Sequence, residues 1–137
     1  MDAPINLVLF SGTDDKLQAA AVLTAGAAAL GKPVNIFLQY WALDAFRADR
    51  IGADHGLAPE AGSAGRAAVD DLAAAGQASW AETLRLAKEL GGVDIQACSL
   101  SMDLLKLESG DLDPLVDGVE GVTSFYLNAG EGQLVFI

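Results

Sequence analysis

Cysteine is almost missing from this sequence: Cys98 stands alone among 137 residues. An intrachain disulfide is therefore excluded, and with it a disulfide-stapled secreted scaffold, a CxxC redox site and a cysteine-rich zinc site. Basic residues are scarce too. Eight Lys and Arg face nineteen Asp and Glu, a formal net charge of −11. Phosphate recognition needs clustered cations, so nucleic acid is excluded as a partner and an anionic membrane surface is disfavoured. The opening Met1-Asp2-Ala3-Pro4 lacks the basic start of a signal peptide. The longest uncharged run, Leu17 to Gly31, is rich in Ala and falls short of the about 20 strongly apolar residues of a spanning helix. These absences predict a cytoplasmic protein without a transmembrane segment. Histidine is limited to His55, and no His/Asp/Glu cluster has ligand spacing, so neither a metal nor a cofactor is expected.

What is present reads as one α/β domain over residues 1–137, long enough to bury a core. Ile5 to Phe10 is a short apolar run of β-formers ended by Ser11-Gly12-Thr13, hence a buried strand. Thr13 is placed as the N-cap of a helix whose first turn carries Asp14 and Asp15 at the positive end of the dipole. That helix runs to about Leu30 and stops at Gly31. Val34 to Leu38 is a second strand, followed by a short helix over 42–47. Strand, helix, strand in this span is a βαβ unit with parallel pairing. Residues 49–66 carry repeated Gly and one Pro and read as loop, with one or two helical turns over 67–75. Ser79 and Glu82 have capping-box spacing and open a helix that ends at Gly91-Gly92. Val93 to Cys98 is the third strand. Short helices are expected over 102–107 and 111–116, a short strand at Val119 and a terminal strand over 133–137. Residues 123–127 favour strand by propensity alone.

Three places carry residues suited to chemistry. Cys98 ends the third strand, on the edge where ligands bind open α/β sheets. A thiol at a helix N-terminus is favoured as thiolate, which is the nucleophilic form; Asp103 nearby opposes this. The competing reading is a buried, inert Cys acting as a small hydrophobe. Its surroundings exclude several enzymes. A phosphatase loop needs Arg where Leu104 stands, a rhodanese loop needs Gly and Arg, and a peroxiredoxin needs Thr where Ile95 stands. The second place is the Ser11-Gly12-Thr13 turn, whose backbone N–H groups are positioned either to cradle an anion or simply to turn the chain. The third is Tyr40-Trp41 at the end of the second strand, a wall for a pocket over Cys98 or plain packing. His55 is read as an inert loop residue or, less favourably, a base.

Four segments resemble the DsrE/DsrF-like family, specifically its small single-domain branch often labelled peroxiredoxin-like. They are Phe10 to Lys16 (FSGTDDK), Val34 to Leu43 (VNIFLQYWAL), Leu86 to Leu105 (LAKELGGVDIQACSLSMDLL) and the closing Leu134 to Ile137. The resemblance implies a three-layer α/β/α fold with a mainly parallel five-stranded sheet of flavodoxin-like topology, and a helix rather than a strand over 122–129. It implies homo- or hetero-oligomers, often trimers or hexamers, and sulfur carried as a Cys persulfide between partner proteins of rhodanese-like or TusA-like type. Cys98 takes the place of that branch's Cys, with Ser99 and Ser101 offered to stabilise the anion and Gly12, Thr13, Tyr40 and Trp41 shaping the mouth. Leu100 departs from the branch's Met, the middle loop is Ala/Gly-rich rather than Met-rich, and the peroxiredoxin label lacks its Thr. Sulfur carriage at Cys98 is the first expectation. The alternative is a non-catalytic oligomeric module binding a small anion or nucleotide-like ligand, with Cys98 structural. A one-Cys peroxidase ranks last.

Overall fold

Three short, largely buried strands set the architecture. β1 (Ile5–Leu9), β2 (Val34–Leu38) and β3 (Val93–Cys98) lie side by side in parallel. β4 (Gly118–Glu120) joins β3, and β5 (Leu134–Phe136) joins β1. The computed structural model describes residues 3–137; Met1 and Asp2, part of the N-terminal stretch read above, lie outside the described residues. The result is the expected five-stranded parallel sheet, ordered β4-β3-β2-β1-β5. The flavodoxin order, 2-1-3-4-5, is not the one adopted. Here the chain steps from β1 through β4 in one direction and reverses only once, to lay β5 on the far side of β1.

That single reversal decides which face each helix covers. Right-handed crossovers in one direction put their helices on one face of a sheet, and a reversed crossover puts its helix on the other. α1 (Asp14–Ala29) and α4 (Trp80–Leu90) pack against each other on the first face. The strand residues pointing to them, Leu7, Leu9, Val34, Ile36, Leu38 and Ile95, are essentially inaccessible. α1 contributes Leu17, Ala20, Ala21, Thr24, Ala27 and Ala28, a three-and-four spacing that makes one stripe. Small Ala side chains let α1 approach closely, and the Thr24 hydroxyl is satisfied by the Ala20 carbonyl at 2.8 Å. α6 (Val122–Ala129) covers the second face alone, burying only Phe125 and Ala129. The helix implied for this segment by the family resemblance is therefore present, and the strand favoured by propensity is not.

Asn6 explains how α6 is held. It is fully buried on the second face, a costly place for an amide unless its groups are bonded. Its Nδ2 donates to the carbonyls of Ala129 (3.2 Å) and Gln133 (3.0 Å), and its Oδ1 accepts from Asn35 Nδ2 at 3.0 Å. The C-terminal end of α6 is thereby pinned across β1 and β2.

Several local expectations are corrected. The 49–66 stretch is not all loop: a 3₁₀ turn at Pro59–Ala61 leads into α3 (Gly62–Ala74). None of the α3 residues is buried, so the apolar periodicity that reveals a helix in sequence is missing there. α2 (Tyr40–Ala45) and α5 (Ser99–Leu105) start directly after their strands, earlier than expected. The helix expected over 111–116 is absent. A 3₁₀ turn at Ser109–Asp111 and a bridge from Leu112 to Arg47 replace it, with Pro114, which has no N–H to give, just beyond. Among the described residues no helix is long and apolar enough to cross a membrane.

Candidate functional site at the carboxyl edge of the sheet

Three strand ends are laced together at the carboxyl edge. The Gln39 amide donates to the Leu9 carbonyl at 2.9 Å, and the Ala42 amide to the Phe10 carbonyl at 3.0 Å. The Tyr40 amide donates to Ser101 Oγ at 3.0 Å. Tyr40 sits at φ 45°, a left-handed conformation that costs a non-Gly residue about 1–2 kcal/mol. Ser101, itself buried, holds it there. Gly12 closes the lacing: a Cβ at that position would collide with the Trp41 carbonyl. Gly12, Tyr40, Trp41 and Ser101 are thus brought together, and the Ser101 hydroxyl, expected at the Cys98 sulfur, instead accepts from a backbone amide and supports the scaffold.

The Ser11-Gly12-Thr13 turn is poorly suited to an anion. The Ser11 amide already donates to the Ile137 carbonyl (3.3 Å) and the Asp14 amide to the Gly56 carbonyl (2.9 Å). Thr13 occupies the N-cap position of α1, yet its side chain makes no capping bond. Its hydroxyl lies 3.4 Å from Ser11 Oγ and also bonds the Asp15 carboxylate.

Cys98 occupies the last position of β3 and the N-cap position of α5. Strand alternation turns it to the second face, where it packs with Val8, Phe37 and Phe125 and is only 5% exposed. Phe125 stacks on Phe37 at 4.8 Å between ring centroids, so α6 is the roof over this cluster. Ser99 and Leu100, next in the chain, are exposed. Glu120 is the β4 partner of Cys98, and its Oε2 accepts from Ser124 Oγ (2.9 Å) and Asn128 Nδ2 (3.3 Å) of α6. Val8, Phe37, Phe125 and Glu120 escaped the sequence reading. The available signal was the two-residue alternation that puts Val8, Phe37 and Cys98 on one face, together with the Phe125–Ala129 spacing.

Around this cluster the surface is apolar and aromatic. Phe136, Phe10, Tyr40 and Trp41 form a row with successive centroid distances of 5.9, 5.0 and 6.1 Å. Trp41 is 56% exposed, and Tyr126, Leu127 and Phe136 are exposed further still. His55 is elsewhere: its amide donates to Asp14 Oδ2 and its ring lies 6.0 Å from Trp80, on the α1/α4 side. It is half-buried rather than a free loop residue, and its Nε2 is sealed from solvent without a partner.

The comparisons agree with this geometry. The DsrE/DsrF/DrsH-like family matches residues 2–62. YrkE of Bacillus subtilis (strain 168), an uncharacterized protein, is 30% identical over 93% of this chain and 92% of its own length. Among solved structures, the ychN protein of E. coli superposes over the whole of both chains with a TM-score of 0.62 at 12% identity. MTH1491 of Methanobacterium thermoautotrophicum does so over 99% and 100% with a TM-score of 0.53 at 14% identity. A relative similar over nearly its whole length, a family match on the first βαβ unit and a shared five-stranded fold lead to one conclusion: the chain belongs to the DsrE/DsrF/DrsH-like family.

Proposed function

We propose that this protein is a cytoplasmic sulfur-relay carrier that holds sulfane sulfur on Cys98. The observation that supports this most is the position of its single thiol, at the carboxyl end of a central strand of a DsrE-like sheet. The Cys98 thiolate attacks the terminal sulfur of a donor persulfide. The donor S–S bond breaks, the donor thiolate leaves, and a Cys98 persulfide forms; the reverse step delivers sulfur to an acceptor thiolate with no net oxidation. Cys98 stands at the N-cap position of α5, with Ser99 next in the chain and exposed at the edge where sulfur would arrive. Gly12, Thr13, Tyr40, Trp41 and Ser101 act as the frame of the mouth. Donor and acceptor are other thiol proteins, of rhodanese-like or TusA-like type. The exposed apolar surface of α6, β5 and Trp41 suits a protein partner or further copies in a trimer or hexamer.

Burial sets a condition on this reading. At 5% exposure Cys98 is not open to a protein donor, so transfer requires α6 to move. The same burial favours a second reading, a non-catalytic binding module in which Cys98 only fills space. Intact-mass spectrometry after exposure to polysulfide separates the two. The carrier gains the mass of a sulfur atom, loses it to a thiol such as dithiothreitol, and gains nothing as Cys98→Ser. An unmodified native protein, with sulfur added only after denaturation, assigns Cys98 a packing role.

A further inference from the structure

Across the sheet from Cys98, a cavity of about 580 Å³ opens between the N-termini of α1 and α4, residues 51–53 and α3. We propose that it binds an amphipathic organic cation, of the class of a primary arylalkylamine in its ammonium form. This inference does not rest on the sulfur-relay reading.

Size and place come first. The volume lies in the range of about 300–1,000 Å³ usual for small-molecule sites. α1 and α4 both begin at the carboxyl edge of the sheet, where open α/β sheets receive ligands. The wall includes Ile51, Val69, Leu72, Ala78 and Trp80. α3 roofs the cavity without filling it: no residue of α3 is buried, and Leu72 is half exposed. An apolar body beneath α3 supplies the contacts that the helix lacks.

Charge selects the ligand. Asp14, Asp15 and Glu82 line the cavity against one cation, Arg85, and Arg85 is engaged by Asp113 at 3.4 Å. The three carboxylates sit in the first turns of α1 and α4. They already occupy the positive helix ends, so an anionic ligand meets repulsion. A neutral apolar ligand displaces water from carboxylates without replacing it. An ammonium group on an apolar body satisfies both halves of the site. Asp14 accepts from Trp80 Nε1 and the His55 amide, 3.0 Å each, and is fixed in place. The Glu82 carboxylate has no ion-pair partner among the described residues and is the adjustable contact.

Isothermal titration of the full chain with phenethylamine tests this, with 2-phenylethanol, phenylacetate and spermidine as comparators. The expected result is saturable binding of the amine, about tenfold tighter than the alcohol, with no binding of phenylacetate. Spermidine, with two or more charges but no apolar body, binds more weakly than phenethylamine. Glu82→Gln weakens the amine about threefold. Leu72→Lys, a change at an exposed position that brings a cation to the cavity, weakens it at least about tenfold. No binding of the amine overturns the proposal. So do equal affinities for amine and alcohol, or binding indifferent to both variants. A dimer in sedimentation that Leu72→Lys dissociates also overturns it, since the groove then belongs to a second copy.

Discussion

The two faces of one sheet are built on different terms. The first carries α1, α4 and some twenty interlocked buried side chains. The second carries one eight-residue helix over a four-residue cluster, and that cluster holds the only thiol. Apolar burial contributes about 25 cal/mol per Å², so the first face supplies most of the folding free energy. The second is fastened largely by polar bonds, the Asn6–Asn35 pair at the C-terminal end of α6 and Glu120 along the helix through Ser124 and Asn128. Elements of low local stability are the ones able to open without global unfolding. Robustness lies under α1 and α4, and α6 is the element most suited to local opening.

The largest effect should come from the first face. Phe46 is fully buried and packs at 5.0 Å from Trp80. Phe46→Ala should cost about 4 kcal/mol in denaturant unfolding, with an unchanged m-value. A cost near 1 kcal/mol would mean that this face is no more essential than the other.

Next comes the roof of the second face. Phe125→Ala should cost less, about 2–3 kcal/mol, because a short helix that buries little else can settle into the space. Its main effect should be on Cys98. Labelling of the thiol by a small alkylating reagent should quicken at least about tenfold and become insensitive to low denaturant, the mark of a local opening. If labelling of the parent protein follows the full m-value, Cys98 is reached only through global unfolding. The two faces would then be one cooperative unit, and the carrier reading would fail.

Much of this was legible in the sequence, for identifiable reasons. β1 and β2 are short runs of apolar β-formers and β3 alternates, patterns that mark buried strands, and the Ser79 cap is borne out by the 3.2 Å bond from the Glu82 amide to Ser79 Oγ. α3 was only partly legible, because it buries nothing and so leaves no stripe. The burial of Cys98 depends on α6, which lies 24 residues and more downstream and reaches it only through the one reversed crossover. Spacing within the 98–103 motif carries no information about that roof. The role of Ser101 was equally hidden. Its partner is the amide of Tyr40, 61 positions away, and the left-handed turn at Tyr40 follows from how two strand ends abut.

The smallest expected effect is also the most local. Asp15 ties the start of α1 to the 54–58 loop, both carboxylate oxygens accepting from the Ala58 amide at 3.1 Å. Burial pulls this carboxyl upward, but bonds from the Thr13 hydroxyl and the Ala58 and Lys16 amides outweigh it and hold it below the ordinary 3.8. A lowered folded value means that the carboxylate stabilises the fold above the unfolded pKa and loses that contribution as pH falls through the folded one. The contribution is present at neutral pH and fades below about pH 4, and solvent screening keeps it under about 1 kcal/mol. In an NMR titration the Ala58 amide should shift through this range, and Asp15→Asn should abolish the shift. The amides of α6 should not follow, since Asp15 belongs to the other face. A shift of α6 in step with Ala58 would show the two faces coupled through the β1 turn, and the contrast between them would then be one of degree.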